Sequence, residues 1–487
     1  MSETLELHDI QGLVLRGYGT LRAAQFLVLE IVDDELARAY LQGLVGRLNL
    51  ARDSPAGVAL QVAFTAKGLA KLGVPEGALA TFSREFLEGM DDDVRAVSLG
   101  DLDGNESSGW RWGKRGEPMH VLLMVYAETQ PILDRELAAE RARFAGALAV
   151  LHERTTTTLA GNKEHFGWRD GISMPTIADV PKDPSRTKEK TEKKESWTDP
   201  LPAGEFVLGY KNDYQAFTEC PTAELHDDPG DHLPRVPGEP RKSLGKNGTY
   251  LVFREMTQDV SAFWSYLAKE SREPGADACA RAIALGAKLV GRWPSGAPLA
   301  TSPERDRPEQ GGDNEFLYTH DTVGLACPRG AHIRRANPRD VHALEDRGHS
   351  ASIAMVRKHQ MIRRGRAFGP PVVATMEPEK IFAARDAPRA DRGLHFICLV
   401  GDISRQFEFV QRNWIQSANF DSLYKDGDPL IAARRPEGHR NQNDEHTVAA
   451  EPLRRKYKRL PRFTQLVGGG YFFLPGIAAL KFIARLP

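Results

Sequence analysis

The chain has 487 residues, of which 41% are hydrophobic and 27% charged, and its formal net charge is −1. That composition suits a globular protein with cores large enough to enclose a small molecule. It lacks the basic excess of a general nucleic-acid binder, so no nucleic-acid partner is expected. The length predicts two domains or one duplicated unit.

The N-terminal MSETLELHDIQG has no charged start followed by an apolar run, and no stretch approaches the roughly 20 apolar residues that cross a bilayer. A cytoplasmic protein without a membrane partner is expected. Cys220, Cys279, Cys327 and Cys398 are scattered and form no CxxC pair. They read as reduced thiols rather than a zinc site or a disulfide framework.

In chain order, Phe26 to Ile31 reads as a strand and residues 34–46 as a helix. Val58, Leu60, Val62 and Phe64 line one face of a second strand, Val121 to Tyr126 is a third, and a helix is predicted over 129–150. Residues 181–196 hold six basic and four acidic side chains and no large apolar one, which predicts a solvated loop. Residues 227–248 and 300–315, rich in Pro, Gly and charge, read as long loops. The second half repeats the order. Tyr250 to Phe253 is a strand, and Val260, Phe263, Trp264 and Leu267 mark an amphipathic helix. Leu394 to Val400 is a strand, followed by a helix with Ile403, Phe407, Val410 and Trp414 on one stripe. Tyr471 to Leu474 closes the chain as a strand. Two α+β sandwiches are expected.

Four segments carry candidate chemistry. In HFGWRDGISMPTI (165–177), Gly167 and Gly171 bracket Trp168, Arg169 and Asp170; the pattern fits a tight turn, or a backbone that approaches a flat ligand and projects Asp170 into a pocket. In LACPRGAHIRRANPRD (325–340), His332 lies among Arg329, Arg334 and Arg335. Imidazole is the commonest nitrogen ligand of haem iron, and arginines suit carboxylates such as propionates. In HQMIRRGRAFGPP (359–371), Arg363 and Arg364 are strand neighbours and face opposite sides, so one pocket can take only one of them. In GLHFICLVGDISRQFEFVQRNW (393–414), Asp402 fits a helix N-cap or a carboxylate behind a metal-bound histidine, with Glu408 its rival. Walker, HExxH, EF-hand and GxSxG signatures are absent.

Together the segments resemble the dye-decolorizing peroxidase family. The resemblance runs through DIQGLVLRGYG, AFTAKGLAKLGVP, FGWRDGISMP, GEFVLGYKN, YLVFREMTQDVSAFW, CPRGAHIRRANPR, MIRRGRAFGPP, LHFICLVGDISRQFEFVQRNWIQSANF and GGGYFFLPG, in that order. It implies two ferredoxin-like halves, expected at 1–200 and 201–487, with haem b in the C-terminal half. By resemblance His332 falls on the proximal iron ligand and Asp170 on the distal aspartate. Arg363 falls on the distal arginine with Arg364 as fallback, and Leu394 and Phe396 look like the apolar pair restricting the distal pocket. Trp168, where the family often has phenylalanine, and Arg329 are expected at the cofactor. The resemblance implies a peroxidase that uses hydrogen peroxide to oxidise dyes, phenols and other aromatic reductants through a ferryl haem. Asp170 then serves as proton shuttle and Trp414 as a candidate surface oxidation site. Rival readings are a haem carrier or sensor, or an enzyme that removes iron from haem. The sequence leaves the oligomeric state open.

Overall fold

The computed structural model describes residues 4–178, 180, 197–272, 277–342, 348–434 and 443–486. The charged segment 181–196 lies outside them.

The first half builds β1 (Ala23–Ile31), α1 (Asp34–Val45), β2 (Val58–Phe64), β3 (Val121–Ala127), α2 (Gln130–Arg143) and β4 (Leu148–Thr157). Helix α1 starts where the Asp33 carboxylate accepts from the Leu36 N–H at 2.9 Å, satisfying one of the free donors of the first turn. It buries Ala37, Tyr40, Leu41 and Leu44. The helix expected over 129–150 stops at Arg143. Gly146 takes φ +80°, and the β-branched run up to Thr157 then continues as β4. Leu148 to Leu151 are apolar enough to suit a helix or a strand; the threonines that follow stiffen the backbone toward a strand.

The second half builds β5 (Thr249–Gln258), α3 (Val260–Glu270), α4 (Ala278–Val290), α5 (His332–Ala336), β6 (Ile362–Arg363), β7 (Arg366–Phe368), β8 (Gly393–Val400) and β9 (Thr464–Leu474). The apolar C-terminus after β9 turns into a short helix, Ile477–Ile483.

Within the first half the strands lie in the order β4-β1-β3-β2. In the second half β6 and β7 together act as one broken strand beside β8, and the order is β9-β5-β8-β7. Numbered within each half, both orders are 4-1-3-2 and all pairs are antiparallel, so both halves are ferredoxin-like. The halves then join edge to edge: β9 pairs β2 at Phe473–Phe64, and β4 pairs β7 at Thr156–Phe368 and Thr157–Ala367. The nine strands therefore close on themselves, which removes the open edges that each half would expose alone.

Alternation along the strands sorts the side chains into two faces. Ala24, Phe26, Val28, Leu251, Phe253, Ile397 and Leu399 fill the inside of the closed sheet. On β8 the opposite set, including Leu394 and Phe396, points outward, as do Met256 and Gln258 of β5, and these four line a cavity. Gly393 fixes the seam between β8 and β5, because a Cβ there would come 1.9 Å from the Met256 carbonyl oxygen. Gly393→Ala is expected to destabilise the fold by roughly 1–3 kcal/mol, as overpacking does. A lowered urea midpoint with unchanged slope checks this; an unshifted midpoint refutes it.

The helix expected after β8 forms with a widened turn. Glu408 N–H bonds Ile403 O and Gln416 N–H bonds Gln411 O, both at 2.9 Å and both spanning five residues rather than four. Such π-turns are rare and concentrate at functional sites. Here the wider turn presents Phe407, Val410, Gln411, Trp414 and Ile415 to the same cavity.

Candidate active site

The cavity of about 290 Å³ lies on the outer face of the second half's strands, and is also lined by the turn around Asp170 and by α5. That turn is shaped by its glycines: Gly167 has φ +105° and Gly171 φ +77°, where a side chain is strained. A Cβ on Gly167 would also meet Ile381 at 2.9 Å. Glu164 ties the turn together by accepting from the Phe166 N–H (2.9 Å), the Trp168 N–H (3.0 Å) and Gln258 Nε2 (2.6 Å). Burial pushes its carboxyl up to about 7. Trp168 is fixed by its indole N–H on Arg292 O (2.8 Å) and by packing on Trp264 and Phe263, and it lines the cavity. Gly286 of α4 makes room for it, since a Cβ there would lie 2.6 Å from the indole ring.

Asp170 and Arg363 meet. Arg363 Nη1 donates to Asp170 Oδ1 at 3.0 Å, and its Nη2 donates to Ser173 O at 3.1 Å. Asp170 Oδ1 also accepts from the Gly171 N–H at 2.6 Å. The Asp170 side chain is 45% exposed and lines the cavity. Burial raises its pKa. The Arg363 guanidinium, the Gly171 N–H and the charge of His332 outweigh that and hold the carboxyl below its ordinary value. Arg364 faces away, donating from Nε to Leu13 O (2.7 Å) and from Nη2 to Val14 O (2.8 Å).

His332 opens α5 and faces the same cavity. Its Nδ1 donates to Asp428 Oδ2 at 2.8 Å. Its Nε2 has no hydrogen bond among the described residues and is free to meet a ligand in the cavity. Asp428 is fully buried, and its Oδ1 accepts the N–H groups of Leu430 (2.9 Å) and Ile431 (3.0 Å). Burial raises the Asp428 pKa, but His332, Arg335 and the Leu430 N–H hold it below the usual carboxylate range. In return burial lowers the His332 pKa and Asp428 more than reverses this, holding it above the ordinary imidazole value.

The carboxylate behind His332 is thus neither Asp402 nor Glu408. Asp402 caps the following helix, accepting from the Arg405 N–H at 2.9 Å, and Glu408 is spent on Arg95 and on the Tyr471 hydroxyl (2.7 Å). In the sequence Asp428 stands in KDGDPL, which reads as a turn and gives no sign of chemistry. Glu164 was equally hidden.

Three further expectations change. Arg329 does not line the cavity; it donates to Thr322 O (2.9 and 2.7 Å) and Asp421 O (3.1 Å). Arg334 and Arg335 likewise spend their guanidinium groups on Asp321 and on backbone carbonyls. The cavity's arginines are instead Arg169, Arg292, Arg339 and Arg363. Arg292 and Arg339 are committed to carbonyls of 296 and 313–316, whereas Arg169 has no side-chain hydrogen bond among the described residues. Trp414 is 5% exposed and sits against His359 and Phe409, so it lies under the surface. Leu394 and Phe396 line the cavity as expected from their strand. A second imidazole, His359, also lines it, with Nδ1 on Arg405 O at 2.5 Å and its face stacked on Phe409 at 3.9 Å.

Two ferredoxin-like halves closed into one sheet, with a deep cavity outside the second, define an α+β fold found in peroxidases. An ancestral D-type dye-decolorizing peroxidase matches it with a TM-score of 0.76 and 26% identity, over 98% of this chain and 99% of that one. Among curated proteins, the chain is 27% identical to dye-decolorizing peroxidase msp1 of Mycetinis scorodonius, over 99% of this chain and 88% of that protein. It is 29% identical to a multifunctional dye peroxidase of Amycolatopsis sp., over 93% and 91%. No protein-family model matches. The chain is a homologue of the dye-decolorizing peroxidases along nearly its whole length.

Proposed function

We propose that the chain is a haem peroxidase that uses hydrogen peroxide to oxidise dyes, phenols and other aromatic reductants. The observation that carries the reading is the pairing within one cavity. An imidazole with one nitrogen open and a buried carboxylate behind the other shares the cavity with a carboxylate–guanidinium pair.

The residues present fit haem. The walls are largely apolar, with Leu394, Phe396, Val410 and Ile415 among them, as a porphyrin requires. His332 Nε2 would hold the iron, and Arg169 offers an unspent guanidinium to a propionate. Without a CxxCH motif the chain has no thioether anchor of the usual kind, which supports haem b. When bound, haem supplies the redox chemistry that splits the peroxide O–O bond and stores the oxidising equivalents.

The chain's own residues move protons and fix charge. Asp170, held ionised by Arg363, takes the proton from the first peroxide oxygen and returns it to the departing one. Arg363 supplies positive charge where negative charge develops, without reorganising. Asp428 keeps the Nδ1 proton of His332 in place and makes Nε2 a stronger donor to a metal. Leu394 and Phe396 admit peroxide while narrowing the space for anything larger.

Asp428→Asn is expected to weaken haem affinity by about 10–100-fold, as loss of a partner behind a metal ligand does. A haem titration checks this, and unchanged affinity refutes the role. The function itself is tested by absorption spectra of the haem-loaded protein before and after peroxide, with a dye present. A Soret band, a peroxide-induced change and bleaching of the dye are expected. A stable haem band with no peroxide-dependent dye oxidation would point to a carrier. We place the protein in the cytoplasm on its free cysteines, which suit a reducing compartment. Among the described residues no helix is long and apolar enough to cross a membrane.

A further inference from the structure

A second cavity, of about 440 Å³, adjoins the first. Gln258 and Thr464 line both, so a single layer of side chains separates them. Its walls come from the end of β5, the first turn of α3, the segment 384–392 before β8, and the start of β9.

The charge of its lining is one-sided. Arg385, Arg389, Arg392 and Arg462 all contribute, against a single acid, Asp259. Asp259 is already taken: its Oδ1 caps α3 by accepting from the Ala262 N–H at 2.9 Å, and its Oδ2 pairs with Arg389 at 2.9 Å. Arg385 is folded back on Phe382, donating to its carbonyl at 2.9 Å. Arg462 donates to Asp103 O, but its Nε is buried without a partner.

Arg392 is the singular residue. Its backbone is fixed, since its carbonyl accepts from the Gln258 N–H at 2.9 Å and it packs against Gly369, whose own Cβ would lie 2.7 Å from the Arg392 Cα. Its guanidinium has no hydrogen bond, ion pair or aromatic partner among the described residues, and its Nε is shut off from solvent. A half-buried cation normally finds a partner, because desolvation without one is costly. Beside it, Val260, Ala262, Val372, Pro388 and Phe463 give the cavity an apolar floor. An apolar floor beneath the unpaired Arg392 guanidinium and the unpartnered Arg462 Nε suits a ring that bears an anionic group.

We propose that this cleft is a docking site for an anionic aromatic molecule, one carrying a sulfonate or carboxylate, which acts as reductant to the adjoining cavity. The role as reductant rests on the peroxidase reading; the binding does not. Two phenolic molecules each give up one electron and one proton, the peroxide O–O bond breaks, and both oxygens leave as water, so that 2 ArOH + H2O2 yield 2 ArO• + 2 H2O.

The test is binding of 2-naphthalenesulfonate to the haem-loaded protein, followed calorimetrically without peroxide, so that it holds whether or not the protein turns over. Arg392→Gln with Arg462→Gln is expected to weaken binding about tenfold or more, as loss of charge-assisted hydrogen bonds does. Uncharged 2-naphthol should change less than about twofold. Ser261→Glu serves as a second variant: an acid in the first turn of α3 favours the helix, so it should fold while repelling the sulfonate. Under turnover the double variant should raise KM for a sulfonated phenol by the same factor. Unaltered affinity in both variants, equal weakening of both ligands, or displacement of the naphthalenesulfonate by an equal concentration of inorganic sulfate would each overturn the proposal. Intact binding with no peroxidase turnover would instead sink the functional reading and leave the docking site standing.

Discussion

Replacing His332 with alanine is expected to abolish the Soret band of the haem-loaded protein, or to replace it with the broad absorption of loosely held haem. The cavity contains two imidazoles, and their surroundings separate them. His332 has an ionised carboxylate behind Nδ1, an unengaged Nε2, and Asp170 and Arg363 close enough to shift its titration. His359 has only a carbonyl behind Nδ1, and Phe409 covers one face of its ring. Its charged neighbours are Arg405, Asp402 and Lys358, away from the Asp170–Arg363 pair. Burial lowers its pKa below the ordinary imidazole value. His359→Ala should therefore keep the Soret band within a few nanometres of the parent's (an order-of-magnitude tolerance for an intact axial ligand). If the band survives in His332→Ala and disappears in His359→Ala, the ligand assignment is wrong. If both variants keep it, neither imidazole holds the iron.

Asp170→Ala should slow the reaction with peroxide by about 10²–10⁴-fold, the range expected when a positioned proton-transfer group is lost. Stopped-flow mixing with peroxide, before any reductant is added, isolates this step. Full-speed reaction in the variant would remove Asp170 from the mechanism. The pH dependence follows from the same geometry. Arg363 and the Gly171 N–H lower the Asp170 pKa against burial, so its base form persists into acid. The rate should hold from neutral pH down to about 4, the ordinary aspartate value, and fall only below it, as protonation removes the base. Neutralising the guanidinium with Arg363→Gln removes the largest of the lowering influences and leaves the burial that opposes it, so the acid limb should move upward. The linked stability has the same sign. A depressed carboxylate favours the folded state above its unfolded pKa, and that contribution is lost as pH falls through the folded value. An acid limb that does not move in Arg363→Gln would show that some other group controls it.

The site residues legible in the sequence are those within short, unusual strings. Asp170 stands between two glycines, and both adopt the left-handed backbone that the string suggests. Arg363 and Arg364 are adjacent in a strand-like string, and alternation predicts that they part; Arg363 ends β6 and turns to Asp170, and Arg364, in the break before β7, turns to carbonyls near the N-terminus. Leu394 and Phe396 share a face for the same reason. These statements need only local geometry, which the chain carries in every short segment. The two 4-1-3-2 halves are similarly foreshadowed by the order of strands and helices, although β4 was hidden inside a helical-looking run.

Tertiary structure decided whatever depends on which distant segments meet. Asp428 lies 96 residues from His332 and becomes its partner only because the chain after the π-turn folds back under α5. Asp402 and Glu408 were equally plausible by residue type, yet the first is consumed by a helix end and the second by Arg95 and Tyr471. Arg329 is next to the motif of His332 in sequence but points out of the cavity, while Arg169, from the other half of the chain, points in. The closure of two sheets into one, and the layer of Gln258 and Thr464 between two cavities, likewise have no local signature. A sequence records the preferences of a backbone over a few residues; a buried charge finds its partner through the packing of the whole chain.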